Sequence, residues 1–182
     1  MSEITQVRLS GFGGQGVVLA GILLGEAGGI DGKHVSGSNS YGAQARGSGC
    51  KSEIVYSKGP IDFPHVIQAD ILMAMSQGAY DQYSGDVKEE TGLIVYDQGQ
   101  VAPREGLRVK QLGIPATEYA VKRLRNKQVA NLVLLGALVE KTSVVSVRAM
   151  EKAIQTHVAE RFRSLNLEAF KLGLELGRQA HG

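Results

Sequence analysis

The residues best suited to chemistry lie near the amino terminus, in the stretch Gly11-Phe12-Gly13-Gly14-Gln15-Gly16. An apolar-alternating run precedes this stretch and a second apolar run follows it, which predicts the order strand, glycine turn, helix. Glycine lets the backbone turn tightly and lets a ligand approach the main chain. Amide N–H groups at the start of a helix attract anions. The stretch therefore predicts a turn that holds an anion or a phosphate, with a purely structural turn as the alternative.

The same stretch fits the G-x-G-x-x-G pattern of dinucleotide-binding domains. That pattern also needs an acidic residue at the end of the second strand, where it binds the ribose hydroxyls. Asp31 lies at about the right distance along the chain, yet it precedes the predicted second strand at His34-Val35, and Ser36-Gly37-Ser38 follows that strand. The misplaced acid disfavours an NAD site.

A second candidate segment, from Ser36 to Gly49, is small, polar and rich in glycine, and it has no helical apolar period. We predict that it is a long loop, which inside a compact domain is usually functional or disordered. Arg46 in this segment can hold a carboxylate or a phosphate through two hydrogen bonds, and Tyr41 adds a ring and a hydroxyl. A solvated loop with an incidental arginine explains the composition equally well.

Four cations fall within six residues near the middle of the chain: Lys122, Arg123, Arg125 and Lys127. The usual explanation of such a cluster is a solvated helix face, and the alternative is a docking site for an acidic partner or a ligand phosphate. Aromatic residues that could stack on bases are absent nearby, and the net charge is only +2. Both observations disfavour nucleic acid as a partner.

The sequence offers no convincing catalytic set. The four histidines have no metal-ligand spacing with one another or with Cys50, and no Gly-x-Ser-x-Gly motif occurs. Cys50 lies beside Lys51, which can lower a thiol pKa, but it also begins a predicted strand, where a buried and inert cysteine is more common. One cysteine can form neither an internal disulfide nor a cysteine-ligated iron–sulfur cluster. A catalytic centre supplied by another chain would explain these gaps.

The length of 182 residues and the hydrophobic content of 43% fit one globular domain, residues 1–182. The amino terminus lacks the basic and apolar regions of a signal peptide, and no apolar run reaches the length that spans a bilayer. We therefore expect a cytoplasmic protein that does not bind membranes.

Apolar runs and turn residues predict alternating strands and helices. The predicted strands are Gln6–Ser10, His34-Val35, Lys51–Ser57, Ala69–Met75, Leu93–Tyr96 and Leu107–Leu112. The predicted helices are Gly16–Ala27 (ending at Gly28-Gly29), Gly78–Tyr83, Pro115–Arg125, Gln128–Lys141, one capped by Ser146, and one carrying Leu167, Phe170 and Leu174. The helix from Gln128 is apolar all round, which predicts that its own domain or another subunit covers it. The alternation predicts an α/β fold, a three-layer Rossmann-like domain with a mainly parallel sheet and helices on both faces.

Two motifs in order now carry a resemblance: Gly11-Phe12-Gly13-Gly14-Gln15-Gly16-Val17 and Ser40-Tyr41-Gly42-Ala43-Gln44-Ala45-Arg46-Gly47. With them the chain resembles the gamma subunit of 2-oxoacid:ferredoxin oxidoreductases. The likeness extends over nearly the whole chain, through Pro64-His65-Val66, Ala69–Leu72, Asn131–Ala137 and Asn166–Gly173. One departure is Ser48, where the family more often has a second glycine after the arginine.

The resemblance implies a subunit of a larger enzyme. That family decarboxylates a 2-oxoacid on thiamine diphosphate, passes electrons through iron–sulfur clusters to ferredoxin, and releases an acyl-coenzyme A. This chain has one cysteine and no Gly-Asp-Gly thiamine diphosphate signature, so it would hold no cofactor alone. Thiamine diphosphate, Mg²⁺ and the clusters are expected on alpha and beta partner subunits and on a small ferredoxin-like delta subunit.

The resemblance also implies where coenzyme A would bind. Five residues of the turn would cradle one of its phosphates: Gly11, Gly13, Gly14, Gln15 and Gly16. Tyr41 and Arg46 would line the approach to the active site. A separate short gamma chain resembles the 2-oxoglutarate enzymes most, while pyruvate, branched-chain 2-oxoacids and indolepyruvate stay open as substrates. The alternatives outside this family are a free-standing nucleotide-binding regulatory module and a stand-alone dehydrogenase, which the misplaced Asp31 disfavours.

Overall fold

The computed structural model describes residues 4–41 and 49–180, so Arg46 and the rest of segment 42–48 lie outside the described residues. The strands are β1 (Thr5–Phe12), β2 (His34–Tyr41), β3 (Gly49–Ser57), β4 (Ile71–Ala74), β5 (Leu93–Asp97) and β6 (Lys110–Ile114). The α-helices are α1 (Val17–Ile30), α2 (Gln77–Tyr83), α3 (Ala116–Leu124), α4 (Ala130–Thr142), α5 (Val147–His157) and α6 (Glu160–Gln179). Short 3₁₀ turns cover Ser84–Asp86 and Lys127–Val129.

The six described strands form one sheet in the order β2-β3-β1-β4-β5-β6. Strands β1, β4, β5 and β6 are parallel, whereas β3 is antiparallel to both of its neighbours. Because β2 is antiparallel to β3, it runs in the same direction as β1, and β3 is the only one of the described strands that runs the other way. The prediction of an α/β fold with a mainly parallel sheet is confirmed.

Apolar side chains alternate between the two faces of the sheet and build one core on each. Met73 and Val95 belong to the larger core under α1, α4 and the other long helices, while their neighbours Leu72 and Ile94 belong to the smaller core. The smaller core is closed by α2, through Tyr80, and by the loops around it. Helices therefore cover both faces, as predicted.

Helix α4 lies at the centre of the larger core. Every residue from Ala130 to Val139 is buried, and α4 packs against α6, α3, α1 and the sheet. Elements of the same chain therefore cover α4 on all sides. Of the two predicted alternatives, its own domain or another subunit, the first is correct. Ser146 caps α5 as predicted, accepting a hydrogen bond from the Ala149 amide at 3.1 Å.

The prediction that α1 breaks at Gly28-Gly29 is wrong, since the helix continues to Ile30. Gly28 lies against the ring of Tyr56, where an added Cβ would come within 2.2 Å of a ring carbon. The Tyr56 hydroxyl also donates a hydrogen bond to the Leu24 carbonyl at 2.7 Å. Here glycine allows close packing of helix on sheet, and the chain turns only at Gly32, where φ is +77°.

The prediction of a loop from Ser36 onward is also wrong for its first part. Residues 34–41 form β2, which pairs with β3 in continuous register from His34 opposite Ser57 to Tyr41 opposite Cys50. The backbone makes these hydrogen bonds, so small polar side chains suffice on an edge strand whose residues are largely exposed. Strand β6 is displaced as well, covering Lys110–Ile114 where Leu107–Leu112 was predicted.

Glycine contacts between α4 and α6 generate a first prediction. A Cβ on Gly173 would lie 2.0 Å from the Val133 carbonyl oxygen and 2.9 Å from the Gly136 Cα, and neither backbone atom can move aside easily. We expect Gly173→Ala to lower the free energy of unfolding by about 2–3 kcal/mol, measured by urea denaturation of the chain.

The matched control is Gly29→Ala, because Gly29 is also helical and a Cβ there meets nothing within 4 Å. Replacing a helical glycine by alanine at an open site should raise the free energy of unfolding by up to about 1 kcal/mol. Equal effects of the two substitutions would contradict the close helix contact.

The single thiol gives a second prediction. Cys50 lies in the larger core, and burial raises the pKa of its thiol, opposite to the lowering that Lys51 next to it suggested. A raised pKa leaves little thiolate at neutral pH, and the thiolate is the reactive form. In the folded chain we expect Cys50 to react with a disulfide reagent at pH 7 at least about tenfold more slowly than in urea. Equal rates would show that the thiol is accessible.

Candidate functional site

The glycine turn lies at the carboxyl ends of β1 and β4, where the chain leaves the sheet in opposite directions. The connection after β1 forms α1 over the larger core, and the connection after β4 forms α2 over the smaller core. In open α/β sheets this change of direction opens a crevice in which ligands bind. The sheet topology therefore places a candidate ligand site at the glycine turn Gly11–Gly16, where the sequence also predicts one.

The turn itself is short and is built on left-handed glycines. Gly14 has φ of +94° and Gly16 has φ of +75°, with α1 beginning at Val17. Within the described part of the chain, the N–H groups of Gly13, Gly14 and Gly16 have no hydrogen-bond acceptor. The first amides of α1 add to them, because a helix leaves these groups without intrahelical partners. The turn therefore offers several N–H donors at the positive end of a helix.

Gln15 behaves differently from the glycines around it. Its side chain accepts a hydrogen bond from the Phe12 amide at 2.7 Å and donates one to the Met75 carbonyl at 2.9 Å. Its own backbone N–H donates to the Phe12 carbonyl at 3.2 Å. Gly11 leaves room for this bridge, since a Cβ there would lie 2.5 Å from the Gln15 carboxamide oxygen. Gln15 thus ties β1 to the end of β4, and Gly11 allows it to do so.

Asn131, in the first turn of α4, fixes the other side of the turn. It is only 2% exposed, and its Nδ2 donates to the Gly16 carbonyl at 3.0 Å. A Cβ on Gly16 would lie 2.3 Å from that nitrogen, so the two residues are in direct contact. No role for Asn131 was predicted from the sequence, although an asparagine within a run of apolar helical residues indicates a buried and hydrogen-bonded amide.

Two cavities open on either side of the turn. One of about 310 Å³ is lined by Gly13, Gly14, Thr117, Lys127 and Gln128. Thr117 is held there by the buried carboxylate of Asp97, which accepts hydrogen bonds from its backbone N–H at 3.2 Å and from its hydroxyl.

The second cavity, of about 340 Å³, has more apolar walls. It also contacts Gly14 and Gly16, and its far side is formed by Leu19, Val158, Phe162, Leu165, His157 and Asn166. The exposed Gly14 borders both cavities, so a ligand held at the turn can reach into either of them.

The cluster of four cations divides between two environments. Lys122 pairs with Glu118 at 2.5 Å, a hydrogen bond that raises the Lys122 pKa, and Arg123 pairs with Glu175 at 3.2 Å. Both of these cations lie on the solvent face. Lys127 instead lines the 310 Å³ cavity beside Gly13 and Gly14. One member of the cluster thus lies beside the glycine turn.

Asp31 lies at the opposite end of α1 from the turn. Its carboxylate accepts hydrogen bonds from the Ser146 amide at 2.6 Å and the Ser146 hydroxyl at 2.7 Å. The 14 residues of α1 separate it from the turn by about 21 Å. In addition, the neighbour of β1 on that side is β3 and not β2. Asp31 therefore cannot bind the ribose of a dinucleotide held at the turn.

Tyr41 lies at the same edge of the sheet as the turn. It ends β2, which runs parallel to β1, and it is 68% exposed. With β3 between them, β1 and β2 are roughly 10 Å apart. The structure brings Tyr41 and the turn to one edge without a contact between them, and Arg46 lies outside the described residues.

Neither a metal centre nor a membrane span is found in the part of the chain that the structure describes. Within residues 4–41 and 49–180, no three His, Cys, Asp or Glu side chains gather as a metal site. Among the described helices, none has the length and apolar character needed to cross a bilayer.

Comparisons with known proteins agree with one another. A 2-oxoglutarate synthase subunit, KorC, from Methanocaldococcus jannaschii is 44% identical over 177 residues, which cover 96% of this chain and 94% of the relative. The gamma subunit of a keto/oxoacid ferredoxin oxidoreductase from Geobacter sulfurreducens superposes with a TM-score of 0.87 at 38% identity, covering 97% of this chain and 98% of that one.

A third similarity concerns the fold alone. The 2-oxoglutarate:ferredoxin oxidoreductase from Magnetococcus marinus, with 2-oxoglutarate, coenzyme A and succinyl-CoA bound, has a TM-score of 0.87 at 24% identity. The match covers 98% of this chain but 32% of that longer one. The family model described as pyruvate ferredoxin/flavodoxin oxidoreductase matches residues 6–176. This chain therefore belongs to the pyruvate ferredoxin/flavodoxin oxidoreductase family.

Proposed function

We propose that this chain is the gamma subunit of a multisubunit 2-oxoglutarate:ferredoxin oxidoreductase. The assignment of 2-oxoglutarate as the substrate rests on one observation, the 44% identity to a 2-oxoglutarate synthase subunit over nearly the full length of both chains. In the proposed reaction, 2-oxoglutarate loses its carboxyl group as carbon dioxide, the remaining acyl group forms a thioester with the sulfur of coenzyme A, and the thiol proton is released to solvent. The two electrons left by the oxidation pass one at a time to two oxidised ferredoxins.

The residues of this chain do not fit the redox and decarboxylation cofactors, because the sequence has a single cysteine and lacks the Gly-Asp-Gly signature of thiamine diphosphate sites. Its one cysteine is buried in the core, and an iron–sulfur cluster needs several thiolates. We therefore assign thiamine diphosphate, Mg²⁺ and the clusters to alpha, beta and delta partner subunits, with ferredoxin as the acceptor of the whole complex in the cytoplasm. The share of this chain is to bind and orient coenzyme A.

The glycine turn fits a phosphate of coenzyme A. The N–H groups of Gly13, Gly14 and Gly16 would donate to its oxygens, with the α1 dipole behind them and Lys127 at the edge. Gly11 and Gln15 would shape the turn without touching the ligand, because the Gln15 amide groups already bridge Phe12 and Met75. Tyr41 and Arg46 would line the approach to the active site.

Gly14 gives the direct test of the phosphate site. A Cβ on Gly14 meets nothing within 4 Å and would occupy the open space in front of the turn. We expect Gly14→Ala to raise the dissociation constant for coenzyme A of the assembled complex at least about tenfold, measured by calorimetry. Assembly with the partner subunits should stay intact.

The matched control is Gly106→Ala. Gly106 has φ of +78°, close to the +94° of Gly14, and it also has open space around its Cβ position, but it lies in the loop between β5 and β6. The substitution Gly106→Ala therefore introduces a similar backbone strain outside both cavities, and we expect it to leave the affinity for coenzyme A unchanged. Wild-type affinity in the Gly14 variant would contradict the phosphate site.

A second experiment tests the subunit assignment. The tagged chain, expressed with its native genomic neighbours, should co-purify with alpha and beta chains and reduce ferredoxin fastest with 2-oxoglutarate. Pyruvate, 3-methyl-2-oxobutanoate and indolepyruvate serve as the competing substrates. A preference for one of these would change the assigned substrate, and a stable partner-free monomer that binds nucleotides would favour a regulatory module.

A further inference from the structure

We infer that Asn131 is a positioning residue for coenzyme A, acting through the peptide between Gly16 and Val17. This inference rests on the proposed binding of a coenzyme A phosphate at the glycine turn. Asn131 does not need to touch the ligand, since its hydrogen bond to the Gly16 carbonyl sets the direction of the neighbouring N–H.

Asn131 is buried, and both polar groups of its side chain are hydrogen-bonded. Buried amides are costly unless they are hydrogen-bonded. The Asn131 side chain, 2% exposed, donates to the Gly16 carbonyl at 3.0 Å and accepts from the Leu132 backbone N–H at 2.9 Å. The rest of α4 from Leu132 to Val139 is buried and apolar apart from Gly136, so this amide is an exception in its helix.

The hydrogen bond acts on the Val17 N–H, one of the first amides of α1 that add to the donors of Gly13, Gly14 and Gly16. The Gly16 carbonyl and the Val17 N–H belong to one trans peptide unit and point in opposite directions. Two donors hold this carbonyl on the inner side of the turn, Asn131 Nδ2 at 3.0 Å and the Ala20 N–H at 3.0 Å. The Val17 N–H therefore points away from the body of α1, toward the turn that precedes it.

Contact between Asn131 and Gly16 also restricts the backbone. Gly16 adopts φ of +75°, and its α-carbon faces the Asn131 amide so closely that a Cβ would lie 2.3 Å away. Asn131 therefore holds Gly16 in its left-handed conformation by direct contact, and it also donates a hydrogen bond to the Gly16 carbonyl. Gln15 bridges Phe12 and Met75, so Gln15 and Asn131 together fix the turn that carries the amides of Gly13, Gly14 and Gly16.

Asn131→Asp tests this inference, because aspartate is isosteric and can still accept from Leu132, yet cannot donate to Gly16. Asn166→Asp is the matched control. Asn166 is a buried asparagine that lines the same 340 Å³ cavity, but its Nδ2 donates within α6 to the Phe162 carbonyl at 2.8 Å. Asn131→Leu removes the same donor without adding charge, and it replaces the aspartate variant if that one fails to assemble.

The measurements are coenzyme A binding and steady-state kinetics of the assembled complex, with hydrogen exchange of the peptide that contains residues 13–18. We expect Asn131→Asp to raise the dissociation constant and KM for coenzyme A about tenfold, with kcat at saturating coenzyme A within twofold of wild type. Coenzyme A should slow exchange at the turn in wild type and in Asn166→Asp, and much less in Asn131→Asp.

The outcomes separate this inference from the proposed function. If coenzyme A protects the wild-type turn and Gly14→Ala weakens binding, but Asn131→Asp binds like wild type, the positioning role is overturned and the phosphate site stands. Equal losses in the two aspartate variants would assign the effect to charge near the cavity and also overturn it. If coenzyme A does not protect the wild-type turn, both the site and the positioning role fail.

Discussion

The turn between β1 and α1 is fixed by the side-chain amides of Gln15 and Asn131, and both amides need a glycine beside them. At Gly11 the missing Cβ makes room for the Gln15 carboxamide, and at Gly16 it makes room for the Asn131 amide. Each amide then binds a carbonyl, of Met75 in one case and of Gly16 in the other. The glycines thus serve packing and hydrogen bonding inside the protein as much as ligand approach, and the free amides between them follow from that arrangement.

The position of β3 separates this fold from ordinary dinucleotide-binding domains. An antiparallel strand lies beside β1, where the second parallel strand with its ribose-binding acid would otherwise be. The hairpin from β2 to β3 also replaces a strand–helix–strand unit, which leaves β2 as an edge strand with mostly exposed residues. We propose that the turn keeps the anion-binding end of a nucleotide fold, while the ribose-binding acid is absent beside β1. Such an arrangement suits a site for a phosphate-bearing ligand that other subunits would complete.

Much of the fold was predictable from sequence because buried strands and helices leave apolar patterns. The runs at Leu93–Tyr96 and Val129–Val139, and the cap at Ser146, gave elements of the right kind near their observed bounds. Strand β2 was not predictable in this way, since an edge strand of small polar residues is fixed by pairing with β3 and not by its own side chains. The predicted break at Gly28 was wrong for a related reason, because this glycine packs against Tyr56, a residue distant in sequence.

The candidate site was predictable in part. Local order around Gly11–Gly16 located the turn, whereas the partners that fix it, Met75 and Asn131, lie 60 and 115 residues away in sequence. Lys127 could be recognised as one of four cations but not as the member that lines the cavity. Such choices depend on tertiary contacts, which no local pattern encodes.

We propose that the amides of this turn hold a phosphate of coenzyme A in the assembled enzyme. A structure of the complete complex with coenzyme A bound tests it most directly. We expect phosphate oxygens at about 3 Å from the backbone nitrogens of Gly13, Gly14 and Gly16, with Gln15 and Asn131 keeping their hydrogen bonds. Coenzyme A bound with all its phosphates on other surfaces, and the turn facing water, would contradict it.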